Sequence, residues 1–271
     1  VGSSAVNCRK VEILEECARR GVHFLADKPL AVRRQDLERA EAVLRGGSIQ
    51  LGMLLTERWN PGLAALKQAI DQGRLGRLIG FTMVKPHKLV PESREPWHFR
   101  REENGGPIVD LMIHDFDLLR WFTGSEMAQA EGWVQVGNRE GYPDFPDDAR
   151  VLVRMENGVT ASFTMCAFTW EGSRTVKIMG ALGQITGDVE ENEIQVVSFA
   201  TGNKTVYRLN TDAAGHSGGD AGFMRDVVRQ MQTDGAYAGR TNIAQSIESH
   251  LIALAAEESR VTGKTIWMTR Q

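Results

Sequence analysis

Four side chains of one segment are spaced so that they could act together in proton transfer. On a helix, Asp110, His114, Asp117 and Trp121 follow one another at intervals of four, three and four residues and therefore share one face. A carboxylate one turn before a histidine can hold the imidazole and raise its basicity, as in a general base with an orienting acid. The same residues could instead form a solvated helix face without a chemical role. One histidine with two carboxylates could also bind a divalent metal ion, but no second histidine lies at ligand spacing, so we expect no metal site.

A second candidate segment is Asp27-Lys28-Pro29, which follows a short apolar strand over 22–26. In doubly wound sheets, ligands bind outside the carboxyl ends of the strands, so Lys28 could approach a substrate hydroxyl or a nicotinamide ring. Pro29 restricts the turn and can be preceded by a cis bond, which would hold the lysine rigidly. The alternative is an ordinary exit from strand to loop.

The elements around these segments indicate two parts. In the first part, helices over 8–21 and 35–45 alternate with strands over 22–26 and 49–55, which is the spacing of βαβ units. We therefore predict that residues 1–59 are the later part of a Rossmann-type doubly wound domain.

Residues 60–271 are predicted to form a larger α+β domain with a mostly antiparallel open sheet. A single helix over 108–122 would carry the histidine segment, after a loop over 86–104. Successive strands follow from residue 127 to residue 209, and Asn157-Gly158 between alternating strands is a strong hairpin signal. The other predicted elements of this part are helices over 61–72, 220–232 and 242–262 and strands over 79–84 and 265–268.

Composition excludes several classes of function. The chain has 271 residues, a net charge of −3 and 42% hydrophobic residues, which is ordinary for a globular protein. Its charges are dispersed, so we expect binding neither to nucleic acid nor to a membrane surface. Cys8, Cys17 and Cys166 are odd in number and widely spaced, which argues against a disulfide framework and favours a reducing, cytoplasmic location.

Together the two candidate segments resemble the glucose–fructose oxidoreductase / inositol dehydrogenase (Gfo/Idh/MocA) family. The resemblance rests on Asp27-Lys28-Pro29 at a strand end and on Gly105-Gly106, Asp110, His114 and Asp117 downstream. Further matching positions, in the family's order, are Arg58 with Pro61, Gly73-Arg74-Leu75-Gly76, Asp148, Asn157-Gly158, and Gly180 with Gly183. The likeness therefore runs along nearly the whole chain.

The resemblance implies an oxidoreductase that uses NAD or NADP and acts on a sugar, a polyol or a related hydroxy compound. His114 would take the proton from a substrate hydroxyl, Lys28 would stabilise the developing alkoxide, and Asp110 would orient His114. The protein would assemble as a homodimer or homotetramer through its broad sheet. Alternatives on the same fold are an NAD-dependent glycosidase and a non-catalytic sugar-sensing regulator. A separate alternative is a metal-dependent lyase or isomerase that uses His114, Asp110 and Asp117.

The resemblance also implies a set of cofactor-binding residues, which are Ser3, Ser4, Asn7, Asp27, Lys28 and Pro29. The sequence departs from the family's pattern at two of its positions, because Asp27 replaces a glutamate and Lys10 occupies a place where a histidine is frequent. No Gly-x-Gly-x-x-Gly turn follows a strand, so we expect an N-terminally truncated member, and NAD is not distinguished from NADP.

Substrate contacts are expected from two further segments. An indole and a guanidinium suit a sugar face and its hydroxyls or a carboxylate, so Trp97, His98 and Arg100 are candidates, with a packed loop as the alternative. His216 precedes a predicted helix in a glycine-rich segment and is a further candidate. The alternative there is a loop that ends with Asp220 as the helix N-cap.

Overall fold

The computed structural model of the chain describes residues 1–88, 90–135, 147–170, 172–189, 191, 193–208, 218–233 and 236–268. Within these residues the strands form a three-stranded sheet and a nine-stranded sheet. One contiguous apolar core lies between them and the helices. In the described part of the chain, no helix is long and apolar enough to cross a membrane.

The N-terminal part contains the predicted alternation of strands and helices. Its elements in chain order are β1 (Gly2–Ser3), α1 (Lys10–Arg19), β2 (Phe24–Ala26), α2 (Arg34–Arg45) and β3 (Leu51–Met53). The three strands pair in parallel in the order β1-β2-β3, so their carboxyl ends meet at one edge. The strands are shorter than predicted, and a 3-10 turn over Asn7–Arg9 precedes α1.

The large sheet has the strand order β11-β10-β9-β8-β4-β7-β6-β5-β12, and its pairs are antiparallel except β4 with β7. The sheet consists of β4 (Leu78–Pro86), β5 (Met127–Gln135), β6 (Asp148–Met155), β7 (Thr160–Cys166), β8 (Thr175–Gly180), β9 (Gly183–Asp188), β10 (Glu193–Ser198), β11 (Lys204–Arg208) and β12 (Ile266–Trp267). The predicted hairpin at Asn157-Gly158 is confirmed, because it joins β6 to β7 with Gly158 at φ +86°. Buried and exposed residues alternate along β6, as expected for a sheet with one covered face.

The helices of the second part cover this sheet and reach back to the first. They are α3 (Pro61–Asp71), α4 (Arg101–Asn104), α5 (Gly106–Asp110), α6 (Ile113–Thr123), α7 (Gly219–Gln232) and α8 (Ile243–Thr262). Helix α8 packs against α2 and β3 on one side and against α6 and β5 on the other. The side chain of Thr241 donates to the main-chain oxygen of Met53 at 3.0 Å, so the segment before α8 is tied to the end of β3.

The single helix predicted over 108–122 is wrong, because the structure divides it into α5 and α6. The amide of Met112 donates to the carbonyl of Pro107, five residues back, and so leaves the regular α-helical pattern. The loop predicted over 86–104 is also not irregular throughout, since it contains 3-10 turns over Pro91–Ser93 and Pro96–Phe99 as well as α4.

Asp220 is not the N-cap of α7, which corrects the interpretation of that segment as a capped helix start. The N-cap position is Gly218, with φ +85°, and Asp220 lies in the first turn. A residue with positive φ is most easily a glycine, so the glycine-rich segment itself starts the helix.

Candidate active site

Lys28 and Asp110 form the centre of the candidate site. Lys28 follows β2, the peptide bond between Lys28 and Pro29 is cis, and the ammonium group points toward the end of α5. Its Nζ donates to the main-chain oxygen of Asp110 at 2.6 Å and to the carboxylate at 3.0 Å. The two residues are 82 positions apart, and their side chains are only 19% and 7% exposed. The fold therefore brings together two residues that sequence alone could not join.

The Asp110 carboxylate is held in its charged form. Burial, the largest effect, raises its pKa, but the charge of Lys28 and hydrogen bonds from Asn104 and Lys28 outweigh it, and the pKa lies below its usual range. His114, at the start of α6, is also buried and lines the same cavity. The interpretation of this segment as a solvated helix face is therefore wrong. That Asp110 orients His114 directly stays a prediction, since the recorded bonds of its carboxylate go to other residues.

Asp117 forms a buried ion pair, although its spacing suggested a place beside Asp110 and His114 in the active site. Its two carboxylate oxygens accept from Nε and Nη2 of Arg58, each at 2.7 Å, and one also accepts from the hydroxyl of Ser249 at 2.8 Å. Trp121 stacks on Phe122 at 5.4 Å between ring centroids. The break between α5 and α6 removes Asp110 from the helix that carries these residues, so the four predicted residues do not form one face. Asp117 is thus engaged in a buried ion pair rather than available to a substrate or metal ion.

Lys10 supports the turn that carries Lys28. It is fully buried at the start of α1, and its Nζ donates to Oδ1 of Asn7 at 2.9 Å and to the carbonyls of Asp27 at 2.9 Å and Lys28 at 3.3 Å. Asn7 in turn donates to the carbonyl of Asn104 at 2.9 Å. Burial lowers the pKa of Lys10 to about 8. Sequence reasoning noted Lys10 only as a departure from the family's pattern. The usable signal was a lysine at the helix start beside an apolar stripe.

These residues surround a cavity of about 350 Å³. The candidate residues that line it are Asn7, Asp27, Lys28, Trp97, His98, Asp110 and His114. Trp97 and His98 stack on each other with ring centroids 3.7 Å apart, which makes an aromatic wall. The structure thus brings most of the predicted site residues to one place.

Other predicted residues lie elsewhere. Arg100 is exposed and forms an ion pair with Glu103 at 3.1 Å, outside the cavity lining. The carbonyl of Ser3 accepts from the amide of Asp27 at 3.0 Å, while Ser4 is exposed. His216 lies outside the described residues.

Sequence reasoning missed five charged or polar residues of the cavity wall, which are Glu57, Lys85, His87, Arg94 and Arg174. They come from the segment after β3, from β4 and its exit, and from the residue before β8. No local spacing relates them. Arg174 pairs with Glu57 at 2.6 Å and lies 3.7 Å from the carboxylate of Asp115, whose pKa burial raises.

Comparison with known proteins agrees with this architecture. Residues 63–186 match the model of the GFO/IDH/MocA C-terminal domain. The central part of the chain is therefore similar to the C-terminal domain of the Gfo/Idh/MocA family. The chain is 26% identical over 200 residues to a myo-inositol 2-dehydrogenase of Thermotoga maritima, an alignment that covers 71% of this chain and 57% of that protein.

Two further comparisons concern levoglucosan dehydrogenases. That of Pseudarthrobacter phenanthrenivorans is 26% identical over 227 residues, or 72% of this chain and 58% of that protein. The chain thus spans less than three fifths of the length of these two relatives. A solved levoglucosan dehydrogenase in complex with NADH and levoglucosan superposes with a TM-score of 0.87 at 19% identity, over 100% of this chain and 80% of that one. Because the sequence identity is only 19%, the superposition establishes the shared fold and nothing about activity.

Proposed function

We propose that this protein is an NAD(P)-dependent oxidoreductase that transfers a hydride between a sugar or polyol CH–OH group and nicotinamide. The observation that carries the proposal is the meeting of Lys28, Asp110 and His114 at one cavity. The match of residues 63–186 to the GFO/IDH/MocA C-terminal domain supports it, as do the relatives named as inositol and levoglucosan dehydrogenases. This chain spans less than three fifths of the length of those two relatives, so their activity comes to it as a proposal.

The residues at the edge of the small sheet fit the nicotinamide end of a dinucleotide. Asn7 and Lys28 follow the carboxyl ends of β1 and β2, and both line the cavity. In doubly wound sheets this is the edge at which ligands bind. The bound nicotinamide would supply the acceptor for the hydride that leaves the substrate carbon.

Each member of the trio has a role that its surroundings support. His114 takes the proton from the substrate hydroxyl while the hydride leaves the same carbon, so the loss of two electrons is balanced. The ammonium of Lys28 stabilises the negative charge that develops on the oxygen. The charged Asp110 holds that ammonium at 3.0 Å and directs it into the cavity, where burial strengthens the interaction.

The test is the oxidation of myo-inositol and levoglucosan with NAD⁺ and NADP⁺. The rate is measured by the absorbance of the reduced cofactor. We expect His114→Ala to lower kcat by about 100- to 10,000-fold, because general acid–base catalysis contributes about that much. The exposed Arg100→Ala is the matched control and should keep the parent rate. His114→Ala turnover within a few-fold of the parent would refute the general-base role. Cleavage of a glycoside without net reduction of the cofactor would identify the glycosidase alternative instead.

The assembly and location of the protein are part of the same proposal. The outer face of the large sheet exposes Val84 and Leu152, and we expect it to pair copies of the chain into a homodimer or homotetramer. Sedimentation of a monomer at micromolar concentration would contradict this. Cys8, Cys17 and Cys166 are free thiols, which supports a cytoplasmic location that cell fractionation can test.

A further inference from the structure

One wall of the cavity carries more positive charge than its carboxylates balance. This wall is formed by Glu57, Lys85, His87, Arg94 and Arg174. Lys28 is paired with Asp110, and Arg174 is paired with Glu57. Two further cations line the cavity, which are Lys85 on β4 and Arg94 in the segment that follows. Within the described part of the chain, the recorded ion pairs include neither of them. Their charges are therefore available to a ligand.

The neighbours of Lys85 only partly offset its charge. Burial lowers the pKa of Lys85, and the charges of Arg174 and Lys28 act in the same direction, so a bound anion would stabilise its charged form. The carboxylates that act on it are Asp115 and Glu57, and both also serve Arg174. Two carboxylates thus face Arg174 and Lys85, and Arg94 adds a third cation to the same wall. Three cations on this wall thus face two carboxylates, which leaves one positive charge in excess. The remaining carboxylate of the cavity, Asp27, acts on the buried Lys10.

The guanidinium group of Arg94 is placed so that it can bind an anion. Its Nη2 contacts Nε2 of His87 at 3.0 Å, and the side chain is half-buried. A guanidinium has five N–H donors in a fork that matches a carboxylate or phosphate, so this contact leaves most of them for a ligand.

His87 lies beside both of these cations. Its pKa is lowered to about 4, first by burial and then by the charges of Lys85 and Arg94, with only Asp110 acting in the other direction among its main neighbours. The histidine therefore stays neutral near pH 7 and accepts from Arg94. A neutral substrate would displace water from this wall without compensating its excess charge, which costs free energy.

We propose that the substrate is an acidic sugar or polyol, whose carboxylate or phosphate group is bound by Arg94 and Lys85. The inference rests on the proposed oxidoreductase function and names the substrate class of the same site. The stacked pair of Trp97 and His98 forms an aromatic wall of the same cavity, which suits the apolar face of a sugar ring. A volume of about 350 Å³ suits a substrate of monosaccharide size.

The experiment compares matched neutral and acidic substrates in the parent protein and in charge variants. The substrate set is glucose, gluconate, glucuronate and glucose 6-phosphate, each with NAD⁺ and NADP⁺. We expect a higher kcat/KM for at least one acid than for glucose, and the preferred acid identifies carboxylate or phosphate. Arg94→Gln and Lys85→Met should each lower kcat/KM for that acid by about 10- to 100-fold more than for glucose, mainly through KM.

Two controls separate charge loss from general damage. Lys88→Met removes the same charge from a neighbouring exposed position and should leave both substrates unaffected. Arg94→Lys keeps the charge without the fork and should recover part of the preference for the acid. An equal loss for glucose and for the acid in Arg94→Gln would overturn the proposal.

A binding readout distinguishes this proposal from the proposed function. In His114→Ala, which should be inactive, calorimetric titration with the same acids should still detect binding that weakens as salt rises and is lost in Arg94→Gln. Salt-dependent acid binding without turnover in the parent would support the anion site and refute the oxidoreductase. Turnover of neutral polyols with no acid binding would support the oxidoreductase and refute the anion site.

Discussion

Replacing Lys10 by methionine tests whether a buried ammonium supports the active-site turn. In the folded protein, burial lowers the pKa of Lys10 from 10.5 to about 8, although its Nζ donates to the carbonyls of Asp27 and Lys28. The hydrogen bonds thus compensate only part of the lost hydration. Lys10→Met removes the charge while keeping an unbranched side chain of similar length.

The sign of the pH dependence follows from the two pKa values. Between about pH 8 and pH 10.5 the unfolded chain binds more protons at Lys10 than the folded chain does, so folding stability rises with pH. The contribution is fully present above the unfolded pKa and is lost as the pH falls through about 8. At about 1.4 kcal/mol per pKa, the full difference is about 3 kcal/mol, of which about 2.5 kcal/mol lies between pH 7 and pH 10.

The assay is urea unfolding of the parent and of Lys10→Met at pH 7, 8, 9 and 10 at constant ionic strength. The free energy of unfolding of the parent relative to the variant should increase by about 2.5 kcal/mol across this range. Lys88→Met, at an exposed position, controls for the loss of a charge. A relative stability that is the same at pH 7 and pH 10 would refute the reasoning, because it would mean that Lys10 remains hydrated in the folded protein.

Three further predictions concern the contacts that hold the site in place. His250 accepts from the amide of Leu30 at 2.7 Å, and burial lowers its pKa to about 4. The parent should therefore lose up to about 3 kcal/mol relative to His250→Gln as the pH falls from 6.5 to 4, measured by urea unfolding, and equal acid sensitivity would contradict this. Asp117→Asn leaves the buried Arg58 without an ionised partner and should cost about 3 to 5 kcal/mol of unfolding free energy, whereas a cost below about 1 kcal/mol would show a hydrated pair. Gly132→Ala would place Cβ 2.2 Å from a main-chain oxygen of α8 and should cost at least about 1 to 3 kcal/mol in thermal unfolding, while parental stability would mean that α8 lies farther from β5.

Local sequence patterns predicted much of the secondary structure. Apolar spacing and a terminal glycine indicated α1, and Asn157-Gly158 indicated the β6–β7 hairpin, because these signals depend on backbone conformation over a few residues. The same reasoning failed at Leu111 and Met112, where a continuous apolar stripe hides a break that long-range packing imposes. The spacing therefore failed for Asp110, which lies on α5 and not on the helix of the other three residues, although Asp110 and His114 still line one cavity.

The candidate trio of Lys28, Asp110 and His114 was predicted from the two sequence motifs that carry the family resemblance. What only the tertiary structure decided is which charges meet. Lys28 contacts Asp110, which is 82 residues away along the chain. Arg58 pairs with Asp117, 59 residues away, and thereby makes it unavailable to a substrate. Lys85 and Arg94 join the cavity wall without any motif. The physical reason is that helix and strand periodicity is set by neighbours along the chain, whereas burial and charge pairing depend on segments that come together only when the core forms.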